Sequence, residues 1–390
     1  MMESDECLKW SVRIFERLVR AGYAGWDPYD ALNGARWPRW MLRTRRGRQL
    51  ATQIVKQSPV EVRHLVGVPP GVSAYTLGHA LRTQARLFRG GVLPDAAEHV
   101  ASTLSILDAL SLHGWSGPCW GYHFDVQTRF FFYDTLTPNI VATSVVATGM
   151  GEVTEAGLAD CSERLAGVAE FVLSDLPRVC DSDGQNIGYI PSSSTVVHNA
   201  NMLAAATLVA AARVTGQTRL VEEALQCARY TAAQQRPDGA WPYSDRPDGH
   251  WVDGFHTGFL LEGMHDAARA GEDAELQRAT AAGLDYYIGN LFDETGAPRY
   301  YDTRPLPYDA LSAAQAIEVL SALGDVDPRA TPLAGKVAQW AIANLVSTEG
   351  SVAYRKTAWG VDRREYPRWS AAPMCSALAG LGISDGGRPR

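Results

Sequence analysis

Residue types that perform acid–base chemistry gather in one stretch, residues 234–264, which reads QQRPDGAWPYSDRPDGHWVDGFHTGFLLEGM. Its indoles, phenol, carboxylates and imidazoles are Trp241, Tyr243, Asp245, His250, Trp251, Asp253 and His256. The stretch runs into an apolar helix pattern, and a helix start exposes unsatisfied N–H groups and the positive end of the helix dipole. We therefore predict a site here, although Asp253 could be only an N-cap and the tryptophans could only pack.

The spacing of two histidines relative to helix starts indicates which groups could transfer protons. In DGFHTGF, His256 follows a possible N-cap at Asp253 by three residues, and a first-turn imidazole is suited to act as a neutral base. His198 holds the same register in VHNANML, although His198 and Asn199 could also form an inter-helix contact. We predict His256, Asp253, His198 and Asp125 as catalytic residues.

Other chemistry-bearing residues lie in the long connections between helices. Glycan hydrolysis needs two carboxyl groups, whereas epimerisation or elimination at a uronic acid needs a base and a cation. Both sets are present, and we favour them over a metal mechanism. The predicted substrate-binding residues, all in or beside these connections, are Asp27, Trp120, His123, Arg129, Asn199, Trp241, Trp251 and Tyr301. Asp27 could instead serve a turn in DPYD, and Arg129 could instead pair with Asp134.

The elements that must position these residues are helices of two alternating kinds. Helices such as NMLAAATLVAAARV are apolar all round, whereas their partners, such as RLVEEALQCARYTAAQQ, carry one polar face. The apolar helices start near Asn139, His198, His256, Asp309 and Ala371, at intervals of 53 to 62 residues. Such a repeat predicts an all-α fold, an (α/α)6-type toroid of inner and outer helices forming one domain over residues 1–390.

In such a toroid the inner helices all start at one end, so the long aromatic-rich connections before them converge there. The opposite connections, such as residues 215–217 and 270–273, are short. We therefore expect the functional site at the end where inner helices begin. The pattern further predicts helices over residues 40–56 and 154–176, and N-cap chemistry at Thr137.

Composition excludes several classes of protein. Hydrophobic residues make up 46% of the 390 residues, enough for a large core, and the formal net charge of −7 argues against nucleic acid as a partner. One basic run, Arg36 to Arg48, holds six arginines and could face solvent or an anionic group. We expect a cytoplasmic protein with no membrane span, acting on a small molecule or glycan, with no indication of oligomeric state.

Cysteine and acidic motifs give no indication of a metal or cofactor. The six cysteines include no CxxC pair, and DSDGQN at residues 181–186 lacks the EF-hand layout. We therefore predict neither a metal site nor a cofactor.

The chain resembles the (α/α) toroid superfamily, which includes six-hairpin glycosidases, uronyl epimerases and terpenoid cyclases. It is similar to uncharacterised bacterial proteins described as squalene-cyclase-like and linked to exopolysaccharide biosynthesis. The segments that carry the resemblance are GWDPYDAL (25–32), WGYHFDVQTRFFF (120–132), TPNIVAT (137–143), VHNANML (197–203) and WVDGFHTGFLLEGM (251–264). QRPDGAW at residues 235–241 also fits the QxxxGxW repeat of squalene cyclases, but the DxDD motif that protonates their substrate is absent.

The sequence thus favours a carbohydrate-active enzyme with hydrolase, lyase or epimerase chemistry, in glycan or glycosylated-metabolite biosynthesis. Two alternatives remain: a noncanonical isoprenoid cyclase or prenyl-group enzyme, and a non-catalytic glycan-binding scaffold. A cavity lined by carboxylates and imidazoles would favour the first. A cavity of Phe and Leu would favour the isoprenoid enzyme, and the absence of facing titratable groups would favour the scaffold.

Overall fold

A computed structural model describes residues 4–58 and 60–384. The helices are α1 (Ser4–Arg20), α2 (Arg39–Leu42), α3 (Arg45–Gln57), α4 (Arg63–Val66), α5 (Ala74–Arg89), α6 (Ala96–Leu110), α7 (Ile140–Glu155), α8 (Ser162–Ser174), α9 (His198–Thr215), α10 (Thr218–Ala233), α11 (Gly254–Ala270), α12 (Ala274–Asn290), α13 (Ala310–Ala322), α14 (Ala330–Leu345) and α15 (Ala372–Ser384). Over these described ranges, no helix has the length and apolarity needed to cross a membrane.

The strands are short and belong to the connections. They are β1 (Ala24–Gly25), β2 (Gly71–Val72), β3 (Val126–Gln127), β4 (Phe132–Tyr133), β5 (Arg178–Cys180), β6 (Gln185–Ile187), β7 (Tyr308–Asp309), β8 (Arg355–Thr357) and β9 (Gly360–Asp362). All pair antiparallel: β1 with β2, β3 with β4, β5 with β6, and β8 with both β7 and β9. These pairings give the long connections a defined shape.

Six inner helices close into a ring, which confirms the predicted toroid. Each of α5, α7, α9, α11, α13 and α15 packs on the next, and α15 returns to α5. The outer helices α6, α8, α10, α12 and α14 each follow their inner helix and pack on it, whereas α1 packs on α15. The first helix of the chain therefore completes the last hairpin.

The inner helices pack closely because small residues lie where they cross. On α5, a Cβ added at Gly78 would lie 2.6 Å from the carbonyl oxygen of Val145. On α7, a Cβ at Gly149 would lie 2.5 Å from the carbonyl oxygen of Gly78. The two glycines thus let the backbones of α5 and α7 approach more closely than any other residue would allow.

Charged side chains span the lumen of the ring below its N-terminal end. Arg82 of α5 contacts Glu152 of α7 at 2.8 Å, Glu318 of α13 at 2.6 Å and Glu262 of α11 at 3.2 Å. Arg86 adds contacts to Glu152 and Glu318. Since α11 lies across the ring from α5, this cluster ties opposite walls together. Glu262 follows the start of α11 by eight residues, or about 12 Å at 1.5 Å per residue.

Three predicted boundaries are wrong for local reasons. The helix predicted over 40–56 is broken at Thr44, whose backbone is extended and whose hydroxyl accepts a hydrogen bond from Gly47 N. The helix predicted over 154–176 is divided by a turn at Gly157, where φ is +71°, so that α7 and α8 are separate. The N-cap of α7 is Asn139 rather than Thr137, since the Asn139 Oδ1 accepts from Ala142 N at 2.9 Å.

Candidate active site

The start of α11 holds a histidine oriented by a carboxylate. Asp253 is the N-cap of α11, and its Oδ1 accepts a hydrogen bond from His256 N at 3.0 Å. Its Oδ2 lies 2.7 Å from His256 Nδ1 and accepts a hydrogen bond from Trp251 Nε1 at 3.1 Å. Asp253 therefore caps the helix and also fixes two side chains that face the same space.

This contact assigns the tautomer of His256. A carboxylate bound by three donors acts only as an acceptor, so His256 Nδ1 must carry the proton that it shares with Asp253. In this tautomer the lone pair is on Nε2. No side chain of the described residues hydrogen-bonds Nε2, and the His256 side chain is 25% exposed. His256 is thus arranged to accept a proton from a bound molecule.

Aromatic rings form one wall beside His256. Trp251 and Tyr243 stack with ring centroids 4.6 Å apart and an interplanar angle of 15°, and Phe130 continues the stack against both. The guanidinium of Arg129 lies over the Trp251 ring, 4.6 Å from its centroid. Tyr243 also lies 4.6 Å from the His256 ring. The wall is therefore a stack of aromatic rings with a cation held over Trp251.

Two tyrosines reach the site from the connection before α13. Gly254 N donates to the carbonyl of Tyr300 at 3.0 Å, and Tyr301 pairs with Asp253 in an isolated antiparallel bridge. Burial raises the pKa of both phenols, and the nearby Asp253 carboxylate raises each further. Both hydroxyl groups are therefore protonated near pH 7 and can donate hydrogen bonds or a proton.

A small cavity joins these groups. Its volume of about 10 Å³ suits a single water molecule, and its walls include Asn199, Trp241, Trp251, Asp253 and His256. The buried Asn199 Oδ1 has no hydrogen-bond partner among the described residues. A buried acceptor without a partner in the wall of this cavity suits a polar group in this position. A larger cavity of about 640 Å³ lies elsewhere, between the end of α1 and the β1–β2 pair.

A second histidine–carboxylate contact lies at the start of α9. His198 Nε2 is 2.7 Å from Asp245 Oδ1, and His198 N donates to the Tyr243 carbonyl at 3.1 Å. The contact with His198 lowers the pKa of Asp245. The His198 side chain is fully buried, whereas that of Asp245 is 39% exposed. His198 therefore supports the connection that carries Tyr243 rather than facing the cavity.

Asp27 lies in a buried ion pair rather than at an opening. Its carboxylate receives Arg368 Nη2 at 2.8 Å and Arg368 Nε at 2.5 Å, and Tyr29 N donates to it at 2.9 Å. Arg368 is enclosed by aromatic rings, with Tyr122 4.6 Å from its guanidinium carbon. The predicted substrate contact of Asp27 is corrected by this geometry, because no oxygen of its fully buried carboxylate is exposed.

Two of the predicted tryptophans are structural. Trp120 is 1% exposed and donates its Nε1 proton to the carbonyl of Leu107 on α6 at 2.8 Å. Trp241 is 2% exposed and donates to the carbonyl of Thr231 on α10 at 2.9 Å. Both indoles therefore pin a connection to an outer helix. Trp120 does not reach the cavity, whereas the Trp241 ring forms part of its wall.

Asp125 and His123 lie apart from the cavity that His256 lines. Asp125 Oδ1 accepts a hydrogen bond from Thr135 N at 3.2 Å, and burial raises the pKa of this carboxyl. His123 packs against Gly71, and burial lowers its pKa to about 4. Neither residue lines the cavity beside His256. The structure therefore places Asp253, His256, Asn199, Trp241, Trp251, Arg129 and Tyr301 together and leaves these two apart.

Sequence reasoning left Asp309 out of the predicted site. Asp309 caps α13 through Leu311 N at 2.9 Å, and its two oxygens also accept from Trp369 Nε1 at 2.9 and 3.0 Å. Burial raises its pKa to about 6. Asp309 and Asp253 both raise the pKa of Tyr300, so two N-cap carboxylates of neighbouring inner helices flank that phenol. The sequence did contain a signal for Asp309, because it precedes the start of an inner helix in the repeat, as Asp253 does.

No family model matches the chain, and no curated protein matches it. Solved structures do share its fold. A cellobiose 2-epimerase from Bacillus thermoamylovorans is 9% identical with a TM-score of 0.63, over 81% of this chain and 88% of that one. A GH76 α-mannanase from Bacteroides thetaiotaomicron is 13% identical with a TM-score of 0.62, over 80% and 86%.

A third similar structure covers nearly the whole chain. It is a possible member of the GH105 family from Salmonella enterica, 13% identical with a TM-score of 0.64, over 98% of this chain and 94% of that one. These structural similarities and the ring of six inner helices both show that the chain has the (α/α) toroid fold.

Proposed function

We propose that the chain is a carbohydrate-modifying enzyme that moves a proton at a sugar carbon, as an epimerase, isomerase or lyase does. The observation that carries this proposal is His256: its Nδ1 lies 2.7 Å from Asp253 Oδ2, its Nε2 makes no hydrogen bond with the described residues, and its side chain lines a small cavity. A base oriented in this way is what abstraction of a proton beside a carbonyl or carboxylate requires.

The neighbouring groups fit the remaining needs of that reaction. Trp251 and Tyr243 supply an aromatic wall beside the base, and Tyr301 is a protonated donor beside Asp253. The Arg129 guanidinium, held over Trp251, can pair with negative charge that develops on an enolate or stands on a uronic acid. Return of the proton to the opposite face gives an epimer, and loss of a β-substituent gives a lyase product.

Hydrolysis by two carboxyl groups fits the geometry less well. Both oxygens of Asp253 already accept hydrogen bonds from Trp251 or His256. Asp309 is 1% exposed, and its oxygens are taken by Trp369 and the start of α13. A glycosidase needs one carboxyl group free to protonate the leaving oxygen and another free to attack or to activate water.

The lumen also disfavours the isoprenoid alternative. A hydrocarbon substrate needs an apolar chamber, whereas Arg82 and Arg86 with Glu152, Glu262 and Glu318 occupy the lumen below the site. Placing a hydrocarbon against buried charges is unfavourable. A non-catalytic glycan-binding scaffold would have no use for the paired Asp253 and His256. A role in glycan biosynthesis and a cytoplasmic location stay predictions.

Hydrogen exchange from solvent tests the proposal. The protein is incubated in D2O with a panel of reducing sugars, disaccharides and uronic acids, and loss of individual C–H signals is followed by NMR. We expect exchange with one class of sugar, and we expect His256→Gln to reduce its rate by about 10²-fold or more. His250→Gln is the matched control, because His250 is an exposed imidazole in the same connection.

Asp253→Asn separates capping from catalysis. Asn caps helices about as well as Asp, so the melting temperature should hardly change. The amide no longer holds the His256 tautomer as a carboxylate does, so turnover should fall by about 10²-fold or more. Full activity in both variants would remove Asp253 and His256 from the mechanism. Release of new reducing ends without C–H exchange would show a hydrolase instead.

A further inference from the structure

One surface is strongly basic in an otherwise acidic protein. Residues 31–60 contain six arginines and one lysine and no carboxylate, whereas the whole chain has a formal net charge of −7. The segment forms α2 and α3, which pack on each other. This segment therefore carries positive charge with no acidic residue of its own to balance it.

Three of these arginines have no partner among the described residues. Arg39, Arg43 and Arg46 are exposed, and their guanidinium groups make no hydrogen bond or ion pair with the part of the chain that the structure describes. Arg48 differs, since it donates to Gln127 Oε1 at 2.8 Å and lies over the Phe132 ring. Arg45 donates to the carbonyl of Arg129. The three unpaired arginines are thus free to meet an external anion.

Large apolar side chains are exposed among these arginines. Trp40 is 72% exposed, Leu50 is 54% exposed and Ile54 is 46% exposed. On α3, Arg46, Leu50 and Ile54 follow each other at intervals of four residues and share one face. The opposite face carries Ala51, Thr52 and Val55, which are buried. The outer face of α3 is therefore apolar and basic at once.

A second exposed indole stands on a hairpin attached to α3. Arg355 of β8 donates to Gln57 Oε1 at 3.1 Å at the end of α3, and Arg364 donates to the carbonyls of Val55 and Lys56. Trp359, between β8 and β9, is 98% exposed. Exposed tryptophans are typical of surfaces that enter the polar–apolar boundary of a bilayer.

We propose that Arg39, Trp40, Arg43, Arg46, Leu50 and Ile54, named here the arginine–tryptophan patch, bind the surface of an anionic lipid membrane. Stable peripheral binding needs both apolar insertion and electrostatic attraction, and this patch supplies the two together. A soluble polyanion would satisfy the arginines but would leave Leu50 and Ile54 in water. The proposal does not depend on the reaction at His256.

Vesicle binding tests the proposal. The full chain is sedimented with vesicles of phosphatidylcholine alone and with vesicles that also contain phosphatidylglycerol, at low and at high salt. We expect binding to the anionic vesicles only, and we expect high salt to weaken it through charge screening. The variant Arg39→Gln/Arg43→Gln/Arg46→Gln should lose about 100-fold in partition coefficient, at about fivefold per arginine.

A matched control keeps the change in net charge the same. Arg219→Gln/Arg269→Gln/Arg278→Gln removes three exposed arginines from α10, α11 and α12, and it should keep its binding. Trp40→Ser should weaken binding at every salt concentration, whereas Val92→Ser, at a 41% exposed apolar residue elsewhere, should not. Circular dichroism and melting temperature confirm that each variant folds.

Several results would overturn the proposal. The first is absence of binding to anionic vesicles, and the second is an equal loss in both triple variants. The third is binding that ignores Trp40→Ser and is transferred to a soluble acidic polysaccharide, which would identify a polyanion site in place of a membrane surface.

Discussion

Replacing Asp27 by Asn tests whether this residue binds substrate or holds the ring together. The change keeps the shape of the side chain but removes the charge that faces Arg368, which is 5% exposed. The Arg368 guanidinium would keep its aromatic surroundings, including Tyr122 at 4.6 Å, but would lose its only bidentate carboxylate among the described residues. A buried cation without a counter-charge is strongly unfavourable.

The expected magnitude follows from burial and size. Removing one partner of a buried pair costs about 3–5 kcal/mol of unfolding free energy. The entropy of unfolding is about 2.1 cal/mol/K per residue, or about 0.8 kcal/mol/K for this chain, so Asp27→Asn should lower Tm by about 4–6 °C. Asp248→Asn is the control, because Asp248 pairs with Arg246 at an exposed position and the change should leave Tm nearly unaltered.

The assay combines differential scanning calorimetry with turnover measured on the sugar found by hydrogen exchange. Adding Arg368→Met to Asp27→Asn should restore part of the lost stability, because the unpaired charge is then gone. An unchanged Tm with a large loss of substrate affinity would refute this reasoning and return Asp27 to the substrate-binding residues.

Two further predictions concern packing and pH. Gly149→Ala should destabilise the fold by about 1–3 kcal/mol, because its Cβ would meet the Gly78 carbonyl at 2.5 Å. Gly151→Ala is the control, since its Cβ would meet only Ala210 at 3.6 Å, and it should be neutral or stabilise the fold by up to about 1 kcal/mol. Urea unfolding compares the two variants. Burial raises the folded-state pKa of Asp309 from 3.8 to about 6, so its contribution to stability falls as pH rises from about 4 to 6. Asp309→Asn should therefore gain relative to the parent over that window by up to about 3 kcal/mol, and a pH-independent difference would contradict the assignment.

The fold was predictable because its signals are local. Each inner helix is apolar all round, and its start recurs about every 60 residues, so the alternation of inner and outer helices is visible without tertiary information. The capping role of Asp253 is likewise local, since it depends on His256 N three residues away. Such features depend on the spacing of residues along the chain, which can be read directly from the sequence.

The wrong or missing site assignments involve contacts between residues far apart in the chain, which residue spacing does not reveal. His198 meets Asp245 across 47 residues, and Asp27 meets Arg368 across 341 residues. In both cases a polar side chain looked available for substrate, because its partner lies in a distant connection. The burial of Trp120 could not be foreseen either, since an indole beside a loop can face inward or outward.

The pairing of α1 with α15 has a consequence for synthesis of the protein. Ser11 Oγ donates to the carbonyl of Cys375, 364 residues later, and the face of α1 with Ile14, Phe15 and Leu18 is covered by the last hairpin. At about 5–20 residues per second, a ribosome needs about 20–70 s to make the intervening chain. During that interval the apolar face of α1 lacks its α15 partner, so nascent chains of this protein should be clients of a chaperone that binds near the N-terminus until translation reaches α15.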